Sequence, residues 1–148
     1  MWILIACFGA SILTALLPWM NAEILLLSAV PIVAAHGSVL PLVAAVTMGQ
    51  MTGKSVMYWV SRNASGARAR RLRGAIERWR VQFERHPRSA IALVLVSALI
   101  GFPPFYAVSI AAGACGMRFG RFLVVGGAAR FVHFAVVALL PQIAWRAL

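Results

Sequence analysis

Apolar residues gather in runs over residues 1–17, 24–35, 38–60, 89–100, 105–117 and 122–141, with polar or proline-rich breaks between them. A helix needs about 20 apolar residues to cross the hydrocarbon core of a bilayer. Only 38–60 and 122–141 reach that length, and the pattern predicts a full transmembrane helix over each. The other runs are too short. Residues 1–17 end at Pro18, and Trp19-Met20-Asn21-Ala22-Glu23 separates them from 24–35. In the second half, 89–100 stops at Gly101-Phe102-Pro103-Pro104 before 105–117 begins.

Proline removes a backbone donor and clashes with the preceding turn. In lipid the freed groups must be satisfied by protein or by water in a cavity. Short run, break, short run therefore predicts a re-entrant helical hairpin, with Pro18 and Asn21 at the first tip and Pro103 and Pro104 at the second. Each half then makes a tight turn, at His36-Gly37 and at Arg118-Phe119-Gly120, before its full span. Interrupted segments at matching places in two halves point to an inverted repeat. The fold class expected is an all-α integral membrane protein: two re-entrant hairpins and two full spans in an inverted repeat, with a basic amphipathic cytoplasmic helix. Residues 1–148 form a single membrane domain in this reading, with a first repeat over 1–60, a basic segment over 61–88 and a second repeat over 89–148. Residues 1–17 remain open between a re-entrant arm and a short full span. Without a positive n-region they do not read as a signal peptide.

Composition strengthens the membrane assignment. Of 148 residues 62% are hydrophobic and 11% charged, and the mean hydropathy is +0.88. Average soluble domains carry about 25% charged residues, so a soluble enzyme or nucleic-acid-binding module is excluded. The formal net charge of +11 comes from 14 Lys and Arg against 3 Asp and Glu. Ten of those cations, Lys54, Arg62, Arg68, Arg70, Arg71, Arg73, Arg78, Arg80, Arg85 and Arg88, lie in one stretch that runs from the last turns of one apolar segment to the start of the next. Positive residues flanking membrane segments mark the cytoplasmic side. That orientation also places Arg118 and Arg121 inside. Leu72, Ile76, Trp79 and Phe83 fall at helical spacing, so the loop reads as a basic helix on an anionic leaflet or against the bundle's underside. Arg68, Arg70, Arg71, Arg73, Arg78 and Arg80 are its expected contacts with anionic phospholipid headgroups. Membrane lipids are the expected partners, a homo-oligomer stays open, and nucleic acid is not expected.

Few residues can carry chemistry. Glu23 is the one acidic residue outside the basic loop, at a hairpin tip; it is either an outer-interface cap or a functional carboxylate able to hold a proton. Arg130 lies about 13 Å into the last span at 1.5 Å per residue, too deep to snorkel easily, so it needs a partner or a wet cavity. Glu23 is the acidic candidate. His133 shares the face of Arg130 three residues on, and by itself reads as a packing histidine. Thr47, Gln50, Lys54 and Tyr58 form a polar stripe on the first span, with Lys54 near enough to its end to snorkel. Gly49 and Gly53 permit close helix approach. Cys7 and Cys115 lack the company of metal ligands and read as apolar packing. No nucleophile–base pair, metal cluster or phosphate-cradling loop is present in the sequence, so neither an enzyme nor a cofactor is expected.

Motif order adds a resemblance. Pro18-Trp19-Met20-Asn21-Ala22-Glu23, then Gly49-x3-Gly53-Lys54-x3-Tyr58-Trp59-x2-Arg62, then Pro103-Pro104-Phe105-Tyr106 leading to Ala111-Ala112-Gly113, then Met117, Arg121-Phe122 and Gly127-x2-Arg130-Phe131 run nearly the whole chain. Together they resemble the DedA / VTT (SNARE-associated Golgi protein) superfamily. The resemblance implies facing re-entrant hairpins in a multi-pass protein of the bacterial inner membrane. It also implies transport, flipping or scrambling of a lipid or lipid-linked phosphate, with proton coupling. Many members carry arginines near the second tip; residues 97–105 here have none, which leaves Arg130 as the deep cation. The competing class is a non-transporting membrane protein that binds anionic lipid or a partner through its basic loop.

Overall fold

The computed structural model describes residues 2–17, 20–35, 37–64 and 87–147. These residues fold into α1 (Trp2–Leu16), α2 (Ala22–Ala34), α3 (Leu40–Arg62), α4 (Pro87–Ile100), α5 (Phe105–Ala114) and α6 (Phe119–Ala147), and none of them is in a strand. Pro18 and the basic helix expected around Leu72–Phe83, with Arg68, Arg70, Arg71, Arg73, Arg78 and Arg80, lie outside the described residues.

The short helices pair as the sequence predicts, α1 packing on α2 and α4 on α5. At 1.5 Å per residue they measure about 22, 20, 21 and 15 Å, against a hydrocarbon core of about 30 Å. Helices α3 and α6, about 35 and 44 Å long, have the length to cross. Among the described residues only Phe119–Pro141 of α6 is apolar enough as well, with a mean hydropathy of 2.0. Gln50 and Lys54, with Thr47, Thr52 and two glycines, lower the hydropathy of α3.

Local chemistry sets the boundaries and moves some of them. Helix α2 starts at Ala22, two residues before the expected 24, because Asn21 caps it: Asn21 holds extended backbone and its Oδ1 accepts from the Glu23 N–H at 2.8 Å. Helix α6 continues through Pro141 to Ala147 instead of stopping there. The second tight turn also shifts. Gly116, at φ +71°, follows α5; its N–H donates to Gly113 O at 3.1 Å and that of Met117 to Ala112 O at 3.0 Å. This pair of bonds closes a Schellman motif, whose left-handed position suits glycine. Phe119 and Gly120, expected in the turn, are the first residues of α6.

Two compact units divide the chain, Met1–Gly53 with Arg130–Leu148, and Lys54–Ala129. Both boundaries fall inside long helices, so each unit holds one hairpin and parts of α3 and α6. The first unit buries Leu26 and Val30 of α2, Leu42, Val43 and Val46 of α3, and Phe134 and Ala138 of α6 in one cluster. Helix α1 meets α3 at the Gly49/Gly53 pair. A Cβ on Gly53 would stand 2.5 Å from Ala15 Cβ, and one on Gly49 would strike Phe8 O and Ser11 Cβ. In the second unit Phe122 stacks between Tyr58, at 5.3 Å, and Phe105, at 6.0 Å. A Cβ on Gly113 of α5 would collide there with Tyr58 O and Ser61 Oγ.

Candidate functional site

The first unit brings together the charged residues that the sequence singles out. The Asn21 cap places Glu23 in the first turn of α2, where the partial positive charge of the helix N-terminus favours a carboxylate. His133 of α6 reaches it, its Nε2 standing 2.9 Å from Glu23 Oε1. The Glu23 side chain is 41% exposed and that of His133 15%. Glu23 is therefore partly open to its surroundings rather than enclosed at a buried tip. Arg130 sits one turn before His133 on the same face of α6. Its guanidinium lies over the Phe134 ring, 5.4 Å from the centroid, and it feels the charge of Glu23. His133 packs edge-on against Phe134 at 5.4 Å. A carboxylate, an imidazole and a guanidinium thus share one neighbourhood on two largely apolar helices.

His133 is the member that sequence reasoning underrated. An i, i+3 relation to Arg130 shows a shared face, but only the approach of α2 makes the histidine a partner of Glu23.

The polar stripe of α3 is occupied in structural work. Thr47 Oγ1 donates to Val43 O, 2.7 Å away in its own helix. Gln50 Nε2 donates to Thr14 Oγ1 at 2.7 Å and to Ser11 O at 3.3 Å, tying α3 to α1. Lys54 is 5% exposed, so it is packed inside instead of snorkelling outward. In the second unit the Tyr58 hydroxyl donates to Met117 O. Arg62 Nη1 donates to the same hydroxyl at 2.6 Å and to Met117 O at 3.2 Å. Arg62 also covers the Tyr58 and Trp59 rings, 5.8 and 5.7 Å from their centroids. This knot fastens the α5–α6 turn to the end of α3; the spacing of Tyr58 and Arg62, one turn apart, was its one signal in the sequence.

At the second tip, Ser97 Oγ donates to Pro103 O at 2.5 Å, and Pro104 opens α5. Among the described residues no group of three His, Cys, Asp or Glu is placed to hold a metal.

The family model of the VTT domain covers residues 17–142. No curated protein and no solved structure matches the chain.

Proposed function

Because the chain belongs to the DedA/VTT family, whose members are generally membrane proteins and are generally regarded as non-enzymatic, we propose that it moves a lipid or lipid-linked phosphate across the bacterial inner membrane, using Glu23, His133 and Arg130 as a proton-linked anion site. The observation that carries this reading is the 2.9 Å contact between Glu23 and His133 on apolar helices beside Arg130. Ionisable groups at membrane depth are costly and belong to transport paths and proton relays more often than to packing.

The chemistry follows from charge. With His133 neutral, the charges of Glu23 and Arg130 cancel. A proton taken up by the pair leaves the trio net positive, able to attract a phosphate; its release returns the site to neutrality and lets the phosphate go. The partial exposure of Glu23 gives that proton a route. In this reading the α1–α2 and α4–α5 hairpins enter the membrane without crossing it, and the basic segment faces the cytoplasm.

The test is lipid translocation in liposomes holding the purified chain, followed by quenching a fluorescent phospholipid from one side. Wild-type protein should move the probe faster when a proton gradient is imposed. Glu23→Gln and His133→Asn should lose the response to the gradient while remaining folded. Wild-type rates no higher than those of protein-free liposomes would reject transport and favour the lipid-binding alternative.

A further inference from the structure

The second unit carries a concavity of about 410 Å³ that the Glu23 neighbourhood does not involve. It is lined by Ala90 and Ile91 of α4, by Cys115, Gly116, Met117 and Arg118 of the turn after α5, and by Arg121 of α6. Arg118 and Arg121 are both exposed. Unlike that of Arg62, neither guanidinium makes a hydrogen bond or ion pair among the described residues. The Schellman turn fixes this arrangement. Gly116 in the left-handed conformation reverses the chain, and Arg118 and Arg121, three residues apart, line the same hollow.

We propose that this concavity binds a phosphate group, carried by a lipid headgroup or by a small phosphate ester, between the guanidinium groups of Arg118 and Arg121. Two planar guanidinium forks match the oxygens of a phosphate and can bind it bidentately. The volume suits a small-molecule group, since ligand pockets begin at about 300 Å³. Ala90, Ile91 and Met117 supply an apolar wall beside the charges, as the glycerol or chain end of a phosphate ester requires. None of its lining residues belongs to the Glu23 neighbourhood, and its occupancy stands or falls independently of translocation.

Cys115 provides a built-in reporter, since it lines the concavity, is partly exposed and forms no disulfide. The full chain in maltoside micelles, which lack phosphate, would be treated with an uncharged maleimide, and modification of Cys115 followed by peptide mass. Glycerol phosphate tests the soluble source. Phosphatidylglycerol doped into the micelles tests the lipid source, with diacylglycerol and equal ionic strength of sodium chloride as controls. Only the unliganded fraction reacts, so a ligand at about ten times its dissociation constant should slow labelling about tenfold. In Arg118→Gln/Arg121→Gln that protection should disappear, with helix content by circular dichroism unchanged. Arg118→Lys/Arg121→Lys should keep part of it, because charge remains and the forks are lost. Protection by both phosphates assigns the site to the phosphate itself, and protection by one alone names its source. Absence of protection with either, equal protection by diacylglycerol or chloride, or protection that persists in the double glutamine variant would each overturn the proposal.

Discussion

At Glu23 two influences meet that local sequence treats separately. Asn21 caps α2 and puts the carboxylate in the first helical turn, while His133 approaches from a residue 110 positions away. The contact is partly exposed, and partly exposed ion pairs contribute little, about 0.2–1 kcal/mol by double-mutant cycles. Glu23→Gln and His133→Asn should therefore each lower thermal stability in detergent only slightly, with a coupling between them of about 1 kcal/mol or less. Strongly destabilised single variants rescued by the double change would place the pair in folding rather than in transport. Arg130 differs, being packed over Phe134; its loss removes a cation–π contact as well as a charge.

Among the helices, small residues decide how close an approach can be. Gly113 leaves no room for a Cβ against Tyr58 O and Ser61 Oγ, and the backbone carbonyl cannot move aside without shifting α3. Gly113→Ala should destabilise the chain by about 1–3 kcal/mol, the usual range for overpacking. Gly9 of α1 has open space instead, with nothing within 4 Å of where a methyl would stand. Gly9→Ala should leave the melting temperature unchanged or slightly raised, since alanine is the better helix former. Thermal melts of the two variants in one detergent compare them directly; equal effects would mean that helix propensity, not interhelical distance, governs both positions. The same closeness at Gly49 and Gly53 lets Gln50 reach Ser11 and Thr14.

For the whole molecule, the charge distribution makes a topological prediction. With the basic segment cytoplasmic, a cysteine at Ser65 should react only with reagents that reach the cytoplasm. The α2–α3 turn should face outward. Gly37 itself, at φ +142°, would be strained by any side chain, so Ala35→Cys, at the exposed end of α2, is the better probe. Labelling the two variants in intact cells with an impermeant maleimide, read by peptide mass to separate them from Cys7 and Cys115, checks the orientation. Modification of the Ser65 site from outside would reverse it.

Helical membrane character, the two short-helix pairs, the long apolar helix and family membership were all legible in the order of residues. They depend on composition, on run length and on prolines, which act locally whatever the chain does elsewhere. The Gly49/Gly53 approach was legible for the same reason: a missing side chain is a property of the residue. Packing settled what remained. The turn at Gly116 rather than Gly120 depends on which glycine can close bonds back to Ala112 and Gly113. His133 as the partner of Glu23, Met117 O as the acceptor for Tyr58, and the hollow uniting Arg118 and Arg121 with Ala90 all join residues from separate parts of the chain. Periodicity along a chain reports the face a residue occupies, but the neighbour opposite that face exists only once the helices have packed.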